Sequence, residues 1–364
     1  SKNQALIKIA QALKDHVLEI INENQKDIEH AKASGMSDAM VDRLLLNEDR
    51  IVAMADDVLK LVSLDDPVGD IIREIKRPNG LLIKQVRVPI GIFGIIYESR
   101  PNVTVDIACL CIKSGNVCVL KGGKEAMHSN RILTKLMREA IKETLPVDCV
   151  QLIDYGGREM VDELIHAYGY VDVVVPRGGA GLIQHVVQNA TVPVIETGAG
   201  NCHLYIDKEA DLKKAIDITV NAKIQRPSVC NAIETILVHQ DIVDTYLPLL
   251  YEAFHERVDI RGDSEVQKII PCQLATLTDY ATEYDDYIVA VKIVDSLQEA
   301  IEHIYQYSTK HSEAIITENQ DTAHMFLNSI DSACVYHNAS TRFSDGGQFG
   351  FGAELGISTQ KLHA

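Results

Sequence analysis

The apolar positions of the first sixty residues repeat at the spacing of amphipathic helices. Within residues 2–33 they recur every three or four positions, so they share one face of a predicted helix. These positions are Leu6, Ile9, Leu13, Val17, Ile20 and Ile21. A second helical stretch is predicted from Ser37, a suitable N-cap, to about Val62. Both stretches offer a packing face and no catalytic groups.

The pattern changes over residues 70–88, where two apolar runs flank the turn sequence Pro78-Asn79-Gly80. Asn-Gly between apolar runs is a strong signal for a β-hairpin. This hairpin lies outside the alternation of strands and helices that follows it. We therefore expect it to project from the body, either as a surface flap or as a contact between copies in a homo-oligomer.

Beyond Ile90, short apolar runs alternate with helical stretches in two series. The first series predicts strands at Gly91–Tyr97, Asn116–Lys121, Cys149–Ile153, Val171–Val175 and Val192–Glu196. The second predicts strands at His203–Ile206, Ile233–Val238, Ile288–Val294, Ala314–Thr317 and Ala333–Tyr336. Such alternation is typical of βαβ units, whose strands are parallel and covered on both faces. The fold class predicted is α/β, with two parallel-sheet domains and a projecting hairpin.

Composition narrows the classes of function. A chain of 364 residues suggests two domains, and 46% hydrophobic with 24% charged residues is the balance of a soluble enzyme. The formal net charge of −17 disfavours nucleic acid and anionic membrane as partners. Eight cysteines without a CxxC pair indicate free thiols in a reducing, cytoplasmic compartment. Thirteen histidines without HxH or HxxxH spacing give no metal site.

A possible nucleophile lies in the run Gln225–Asn231, which joins a predicted helix to a predicted strand. Pro227 ends the helix, and Cys230 follows in the loop. Arg226 or backbone N–H groups could lower the pKa of a thiol placed there. From the residues alone, a buried structural thiol remains the alternative.

Two further loops follow predicted strands and offer polar groups. Glu196 precedes Gly198 and Gly200, where a carboxylate at a strand end suits acid–base work, or else is a helix cap or surface acid. Lys121-Gly122-Gly123-Lys124 could bind phosphate, or be a plain turn with solvated lysines. Gly178-Gly179-Ala180-Gly181 opens a helix whose N–H groups could bind a pyrophosphate. A GxGxxG sequence is absent, so an ordinary dinucleotide-binding motif is not indicated.

Together these blocks resemble the aldehyde dehydrogenase superfamily. Arg87–Ile96 is similar to the strand that begins the family's cofactor domain, and Glu196-Thr197-Gly198-Ala199 is similar to its general-base block. Cys230 lies 34 residues after Glu196, as the family nucleophile does. The resemblance also implies that Lys121 contacts the adenosine ribose and that Glu283 holds the nicotinamide ribose.

Within that superfamily, several blocks look like the γ-glutamyl phosphate reductases, over nearly the whole chain. These blocks are Tyr97–Thr104, Val175–Gly179, Gln225–Asn231, Val294–Leu297 and Phe343–Gly347. The resemblance implies NADPH-dependent reduction of L-glutamate 5-phosphate to L-glutamate 5-semialdehyde, the second step of proline biosynthesis from glutamate. It also implies functional coupling to glutamate 5-kinase.

The resemblance assigns roles to the remaining candidate residues. Backbone N–H groups near Cys230, together with Asn231, would stabilise the oxyanion. Lys124 replaces a glutamate of many NAD-preferring relatives and so favours NADP. Arginines would grip the phosphate or the α-carboxylate of the substrate. The arginine candidates are Arg100, Arg226 and Arg342.

Three departures from the family pattern are visible. Glu98–Pro101 replaces the usual Pro-Trp-Asn block, so the usual oxyanion asparagine has no counterpart. Lys121 and Lys124 stand where the γ-glutamyl phosphate reductases often have arginine and serine. The family continues beyond Ala364, so we expect an oligomer contact to be missing. The alternatives are another acylating or hydrolytic aldehyde dehydrogenase, and a non-catalytic binding protein.

The predicted domain organisation follows from these roles. An NADP-binding domain comprises residues 1–69 and 89–196, and the hairpin or oligomerisation flap comprises 70–88. A catalytic domain spans residues 197–340. Residues 341–364 form a C-terminal return segment, in which Gly346-Gly347 belongs to an anion pocket with the arginines.

Overall fold

The structure, a computed structural model, describes residues 1–360. The chain forms two compact units, the first made of Ser1–Thr197 and Gly352–Leu355. The second is made of Gly198–Phe351 and the segment that begins at Gly356. The hairpin residues lie in the first unit, and the predicted return segment is shared between both. The functional roles given to these ranges stay predictions.

The first unit contains eight α-helices among its described residues. They are α1 (Lys2–Asp15), α2 (Val17–Ala33), α3 (Asp38–Leu44), α4 (Glu48–Ser63), α5 (Asn102–Lys113), α6 (Met127–Ile141), α7 (Arg158–Ile165) and α8 (Ala180–Asn189).

The two long helices predicted from the sequence are each interrupted. His16 leaves helical geometry, with φ −113° and ψ 24°, and separates α1 from α2. Asn47 starts a new helix by accepting a hydrogen bond from the Arg50 N–H at 2.9 Å, because its side chain satisfies an orphan donor of the first turn. Ser37 caps α3 as predicted. Apolar periodicity alone did not reveal these breaks.

The predicted hairpin is present as β1 (Ile71–Lys76) and β2 (Leu82–Val86), which pair antiparallel. A three-residue loop closes it, since Arg77 N–H donates to Leu81 O at 2.8 Å. Gly80 has φ +88°, a conformation that glycine adopts without strain. The apolar side chains of both strands are largely exposed to solvent.

The first unit also contains a four-stranded parallel sheet of order β5-β4-β3-β6. Its strands are β3 (Ile92–Tyr97), β4 (Val117–Gly122), β5 (Val150–Leu152) and β6 (Val173–Arg177). The strand predicted at Val192–Glu196 is wrong, because only an isolated bridge joins Val194 to Val174. Pro176 in β6 has no N–H to donate, so the parallel ladder cannot continue alongside it.

The second unit is built on a seven-stranded parallel sheet of order β10-β9-β11-β8-β7-β12-β13. Its strands are β7 (Cys202–Ile206), β8 (Ile233–His239), β9 (Asp259–Gly262), β10 (Gln273–Leu274), β11 (Ile288–Val294), β12 (Ser312–Ile316) and β13 (Cys334–His337). Its helices are α9 (Leu212–Ile224), α10 (Val243–Phe254), α11 (Leu277–Tyr280), α12 (Leu297–Tyr307) and α13 (Gln320–Ser329).

The central strand β8 is buried at every position, as expected for a parallel sheet covered on both faces. The sequence did not predict β9 and the edge strand β10, because these short strands lack an apolar run. In residues 1–360, every helix is too short or too polar to cross a bilayer.

Candidate active site

The predicted site residues are divided between the two units. The first holds Glu196, Arg100, Lys121, Lys124, Gly178 and Gly179. The second holds Cys230, Asn231, Glu283, Arg226 and Arg342. In the first unit, Lys121 and Lys124 lie at or after the carboxyl end of a parallel strand, where ligands of open α/β sheets bind. In the second unit, Cys230 and Asn231 lie in the loop that leads into β8, and Glu283 lies in the loop that leads into β11.

The loop after β3 is fixed by two carboxylates. Glu98 N–H donates to Arg177 O at 3.0 Å, and Glu98 Oε2 accepts the Gly179 N–H at 3.0 Å. Glu125, in the loop after β4, accepts the Ser99 N–H at 2.7 Å and the Ser99 hydroxyl at 3.1 Å. These bonds join the ends of three neighbouring strands. They also fix the backbone position from which the next residue, Arg100, extends.

Lys121 offers a buried ammonium group at the end of β4. Lys121 is 3% exposed, and its Nζ donates a hydrogen bond to Gly122 O at 3.3 Å. Burial, with the nearby charge of Lys124, lowers the pKa of Lys121. Within residues 1–360, no other side chain accepts a hydrogen bond from Lys121 Nζ. A buried donor in this state suits a hydroxyl or phosphate acceptor, so Lys121 fits a dinucleotide cofactor.

One of the N–H groups that the sequence predicted to be open in the Gly178–Gly181 turn is bonded within the protein. Gly179 caps α8, but its N–H already donates to Glu98 Oε2. The carboxylate is placed where the helix dipole favours negative charge. A pyrophosphate that used the Gly179 N–H would have to displace Glu98, and pyrophosphate binding at this turn stays a prediction.

Glu196 lies on the extended segment beside β6, in the first unit. It is half-buried, and the next residue, Thr197, donates its hydroxyl to Pro176 O at 2.8 Å. This bond anchors the segment at the end of β6. The role of Glu196 in acid–base chemistry stays a prediction.

Cys230 lies in the loop between α9 and β8, and is half-buried. Gly200 approaches its backbone so closely that a Cβ on Gly200 would lie 1.5 Å from Cys230 O. Only glycine fits such an approach. The Cys202 thiol donates to the same carbonyl at 3.2 Å. The segment before β7 therefore holds the backbone of the candidate nucleophile in place.

Asn231 and Arg342 contact each other. Arg342 Nη1 donates to Asn231 Oδ1, and Arg342 Nε donates to Gln225 Oε1 at 3.2 Å. The amide nitrogen of Asn231 donates to Ser344 O at 2.9 Å. Both ends of the Cys230 loop are thus joined to residues 342–344. An oxyanion role for the Asn231 amide would require these bonds to break. Arg226, in the same loop, is exposed.

Glu283 also takes part in positioning. Its Oε1 accepts the Gly200 N–H at 2.7 Å, and burial raises the pKa of its carboxyl. It therefore supports the glycine that contacts Cys230, in addition to the ribose contact that the family resemblance implies.

The sequence did not reveal Glu98, Ser99, Glu125 and Gly200 as functional residues, although all four stand next to predicted site residues. In residues 1–360, no three His, Cys, Asp or Glu side chains are grouped so that they could hold a metal ion. The cysteines of this part of the chain form no disulfide bond.

Known proteins resemble this chain in sequence and in fold. A model of the "Aldehyde dehydrogenase family" matches residues 2–268. A γ-glutamyl phosphate reductase of Petrotoga mobilis is 59% identical over 346 residues, covering 94% of this chain and 83% of the relative. The crystal structure of γ-glutamyl phosphate reductase from Thermotoga maritima is 50% identical, with a TM-score of 0.95, over 100% of this chain and 88% of that chain.

A more distant structure shares the fold alone. The acetylating aldehyde dehydrogenase of Geobacillus thermoglucosidasius is 17% identical, with a TM-score of 0.66, over 95% of this chain and 83% of that chain. The family model covers more than half of the chain, and the two γ-glutamyl phosphate reductases share at least half of their aligned residues with it. The chain belongs to the aldehyde dehydrogenase family and, within it, to the γ-glutamyl phosphate reductases.

Proposed function

We propose that this chain reduces L-glutamate 5-phosphate with NADPH to L-glutamate 5-semialdehyde and inorganic phosphate, in proline biosynthesis. As a member of its family, the chain is an oxidoreductase that uses a nicotinamide cofactor. The observation that supports the proposal most directly is the loop of Cys230, whose backbone is fixed by Gly200 while its side chain stays half-exposed.

Cys230 begins the reaction as a nucleophile. Its thiolate sulfur attacks the acyl carbon, the carbon–oxygen bond to the phosphate breaks, and phosphate leaves with the bonding electrons. The product is a γ-glutamyl thioester on Cys230. Covalent capture divides one difficult step into two easier ones. Backbone N–H groups beside Cys230, together with the Asn231 side chain, would stabilise the oxyanion.

The cofactor, when bound, supplies a hydride to the thioester carbon. The thiohemiacetal on Cys230 then collapses, releasing the semialdehyde and restoring the thiolate. No water takes part, so Glu196 is assigned to proton handling rather than to hydrolysis. Lys121 and Glu283 would hold the two ribose groups of the cofactor, while Lys124 would favour the 2′-phosphate of NADP.

Arginines complete the site in this proposal. Arg100, Arg226 and Arg342 bind the phosphate and the α-carboxylate, because guanidinium groups form charge-assisted, directional bonds with both anions. Arg342 is held by Gln225 and Asn231, so its guanidinium has a fixed orientation. Arg100 and Arg226 are exposed.

The proposed partners are a small-molecule substrate, a second copy of the chain and, functionally, glutamate 5-kinase. The exposed apolar hairpin of β1 and β2 is the proposed contact between copies. A cytoplasmic location completes the proposal, since a thiolate nucleophile requires a reducing compartment.

The reaction run backwards tests this function. Microscopic reversibility requires oxidation of glutamate semialdehyde by NADP to depend on inorganic phosphate. We expect a rate that is saturable in phosphate after buffer phosphate has been removed. A phosphate-independent rate that yields free glutamate would contradict the proposal, because Glu196 would then be activating water as in hydrolytic aldehyde dehydrogenases.

A further inference from the structure

A buried ion pair lies at the base of the Cys230 loop. Lys223 is in the last turn of α9, and Glu234 is the second residue of β8, so the two residues flank the loop. Lys223 Nζ lies 2.6 Å from Glu234 Oε2, and the side chains are 0% and 1% exposed. Neither residue belongs to the motifs that the sequence identified.

The second oxygen of Glu234 extends this contact to another loop. Glu234 Oε1 accepts the N–H of Asp285 at 3.3 Å, and Asp285 has φ +55°, a conformation that is uncommon outside glycine, although aspartate adopts it more often than most residues. Two residues earlier, Glu283 accepts the N–H of Gly200 at 2.7 Å. Gly200 in turn contacts the backbone of Cys230. The contacts therefore run from the base of the nucleophile loop, through residues 283–285, back to the nucleophile.

Stability alone does not account for this pair. Removing two charges from water is costly, and replacing a buried pair by well-packed apolar residues is often neutral or stabilising. The left-handed backbone of Asp285 also favours a functional role for the pair. Such conformations persist only where the surrounding structure fixes them, and they are concentrated at functional sites. Burial lowers the pKa of Lys223 and raises that of Glu234 to about 8, which agrees with a pair held at a cost in solvation.

We propose that Lys223 and Glu234 are a positioning pair that fixes Cys230 relative to the loop of Glu283 and Asp285. This inference rests on the proposed function, because it takes Cys230 as the nucleophile. The pair does not touch the substrate. It acts through the carboxylate, which orients the strained loop, and through the ends of α9 and β8, which set the span of the nucleophile loop.

Two double variants separate positioning from stability. Lys223→Met with Glu234→Leu removes both charges and the acceptor for Asp285 N–H. Lys223→Met with Glu234→Gln removes the charges but keeps an oxygen that can accept this N–H. Because neither leaves an uncompensated buried charge, both are expected to fold, with melting temperatures close to each other.

The expected result is a difference in catalysis between these two full-length proteins. The leucine variant loses about tenfold or more in kcat, since a misplacement of about 1 Å at a reacting group can cost about a hundredfold. Alkylation of Cys230 by iodoacetamide, followed by peptide mapping, also becomes slower as the thiol leaves its activating surroundings. The glutamine variant restores most of both rates.

Two outcomes would overturn the positioning role. One is wild-type kcat and wild-type alkylation in the leucine variant. The other is an equal loss in both double variants, because the link to Asp285 would then be irrelevant. If the leucine variant does not fold, the single variant Glu234→Asp is measured in its place. Aspartate keeps the charge but withdraws the carboxylate from Asp285 by one methylene. The same tenfold loss in kcat is expected. Full turnover in Cys230→Ala would instead contradict the proposed function itself.

Discussion

Glu125 holds Ser99 in a left-handed backbone conformation. Ser99 has φ +49°, and Glu125 Oε1 accepts its N–H at 2.7 Å and its hydroxyl at 3.1 Å. A non-glycine residue in this region costs about 1–3 kcal/mol and persists only where neighbours fix it. The carboxylate of Glu125, which follows Lys124 in the chain, therefore sets the direction of the backbone as it enters Arg100.

The first prediction concerns this contact. Glu125→Ala is expected to raise KM for L-glutamate 5-phosphate by about tenfold, corresponding to about 1.4 kcal/mol of lost binding, because Arg100 is no longer directed by a fixed Ser99. Steady-state kinetics with each substrate varied would measure this. Glu139→Ala, at an exposed position of α6, is the matched control and should leave KM unchanged. An unchanged KM in Glu125→Ala would show that the loop keeps its shape without the carboxylate.

The second prediction concerns the nucleophile. Cys230→Ala is expected to abolish turnover while keeping the fold and NADPH binding, because the side chain acts only in covalent capture. Iodoacetamide labelling with peptide mapping should modify Cys230 first among the eight cysteines. Cys272→Ala, a half-buried thiol of the same unit, is the control and should remain active. Full activity of Cys230→Ala would remove covalent catalysis from the mechanism.

The third prediction concerns the choice of cofactor. Lys124 is exposed just after β4. In the proposed function its charge would complement the 2′-phosphate of NADP. A charge-assisted contact of this kind contributes about 1.5–3 kcal/mol, so Lys124→Glu is expected to lower kcat/KM for NADPH by about ten- to a hundredfold relative to NADH. Lys142→Glu, also exposed, controls for net charge. An undiminished NADPH preference would exclude Lys124 as its source.

The fourth prediction concerns self-association. Ile72 and Leu82 are 54% and 48% exposed on the hairpin, which would be poorly stable alone. Changing Ile72, Ile75 and Leu82 to lysine is expected to give a smaller species in sedimentation. Leu18→Lys, 77% exposed on α2, is the control and should not change the mass. An unchanged mass in the triple variant would make the hairpin a local flap.

The accuracy of the sequence predictions depends on how local each signal is. Strand β11 was predicted with its observed bounds, Ile288–Val294, because a continuous apolar run determines it. The hairpin was predicted because Asn79-Gly80 encodes its own turn. In contrast, β9 and β10 are short strands with polar residues, and only their tertiary pairing, of β9 to β11 and of β10 to β9, makes them strands.

The same distinction applies to the candidate site. Lys121 could be proposed from its position at the end of a strand, and Cys230 from its place in a loop that leads into a strand, each together with the family resemblance. Glu98 and Glu125 could not, because their role lies in hydrogen bonds to backbone groups on neighbouring strands. The occupied N–H of Gly179 was missed for the same reason. Spacing along a chain predicts which groups reach one edge of a sheet, but not which of them bond to each other.

The fifth prediction concerns acid stability and rests on two buried histidines of the second unit. Burial, followed by the charges of His203 and Lys292, lowers the pKa of His303 to about 3, and burial lowers the pKa of His311 to about 4. In the unfolded chain both pKa values are near the ordinary value of about 6.5. The unfolded state therefore binds more protons than the folded state below about pH 6.5, and the free energy of unfolding falls as the pH drops.

Each histidine lowers the free energy of unfolding by about 1.4 kcal/mol per pH unit, from about pH 6.5 down to its folded pKa. His303→Phe removes one such contribution and keeps an aromatic ring against Tyr280, whose ring centroid lies 5.0 Å away. Urea unfolding at pH 8 and pH 5 should show that the variant loses about 2 kcal/mol less than the wild type between these values. His324→Phe, exposed on α13, should keep the wild-type difference. An equal loss in His303→Phe and the wild type would mean that His303 is not buried as a neutral ring, because only a group whose pKa differs between the folded and unfolded states contributes to this slope.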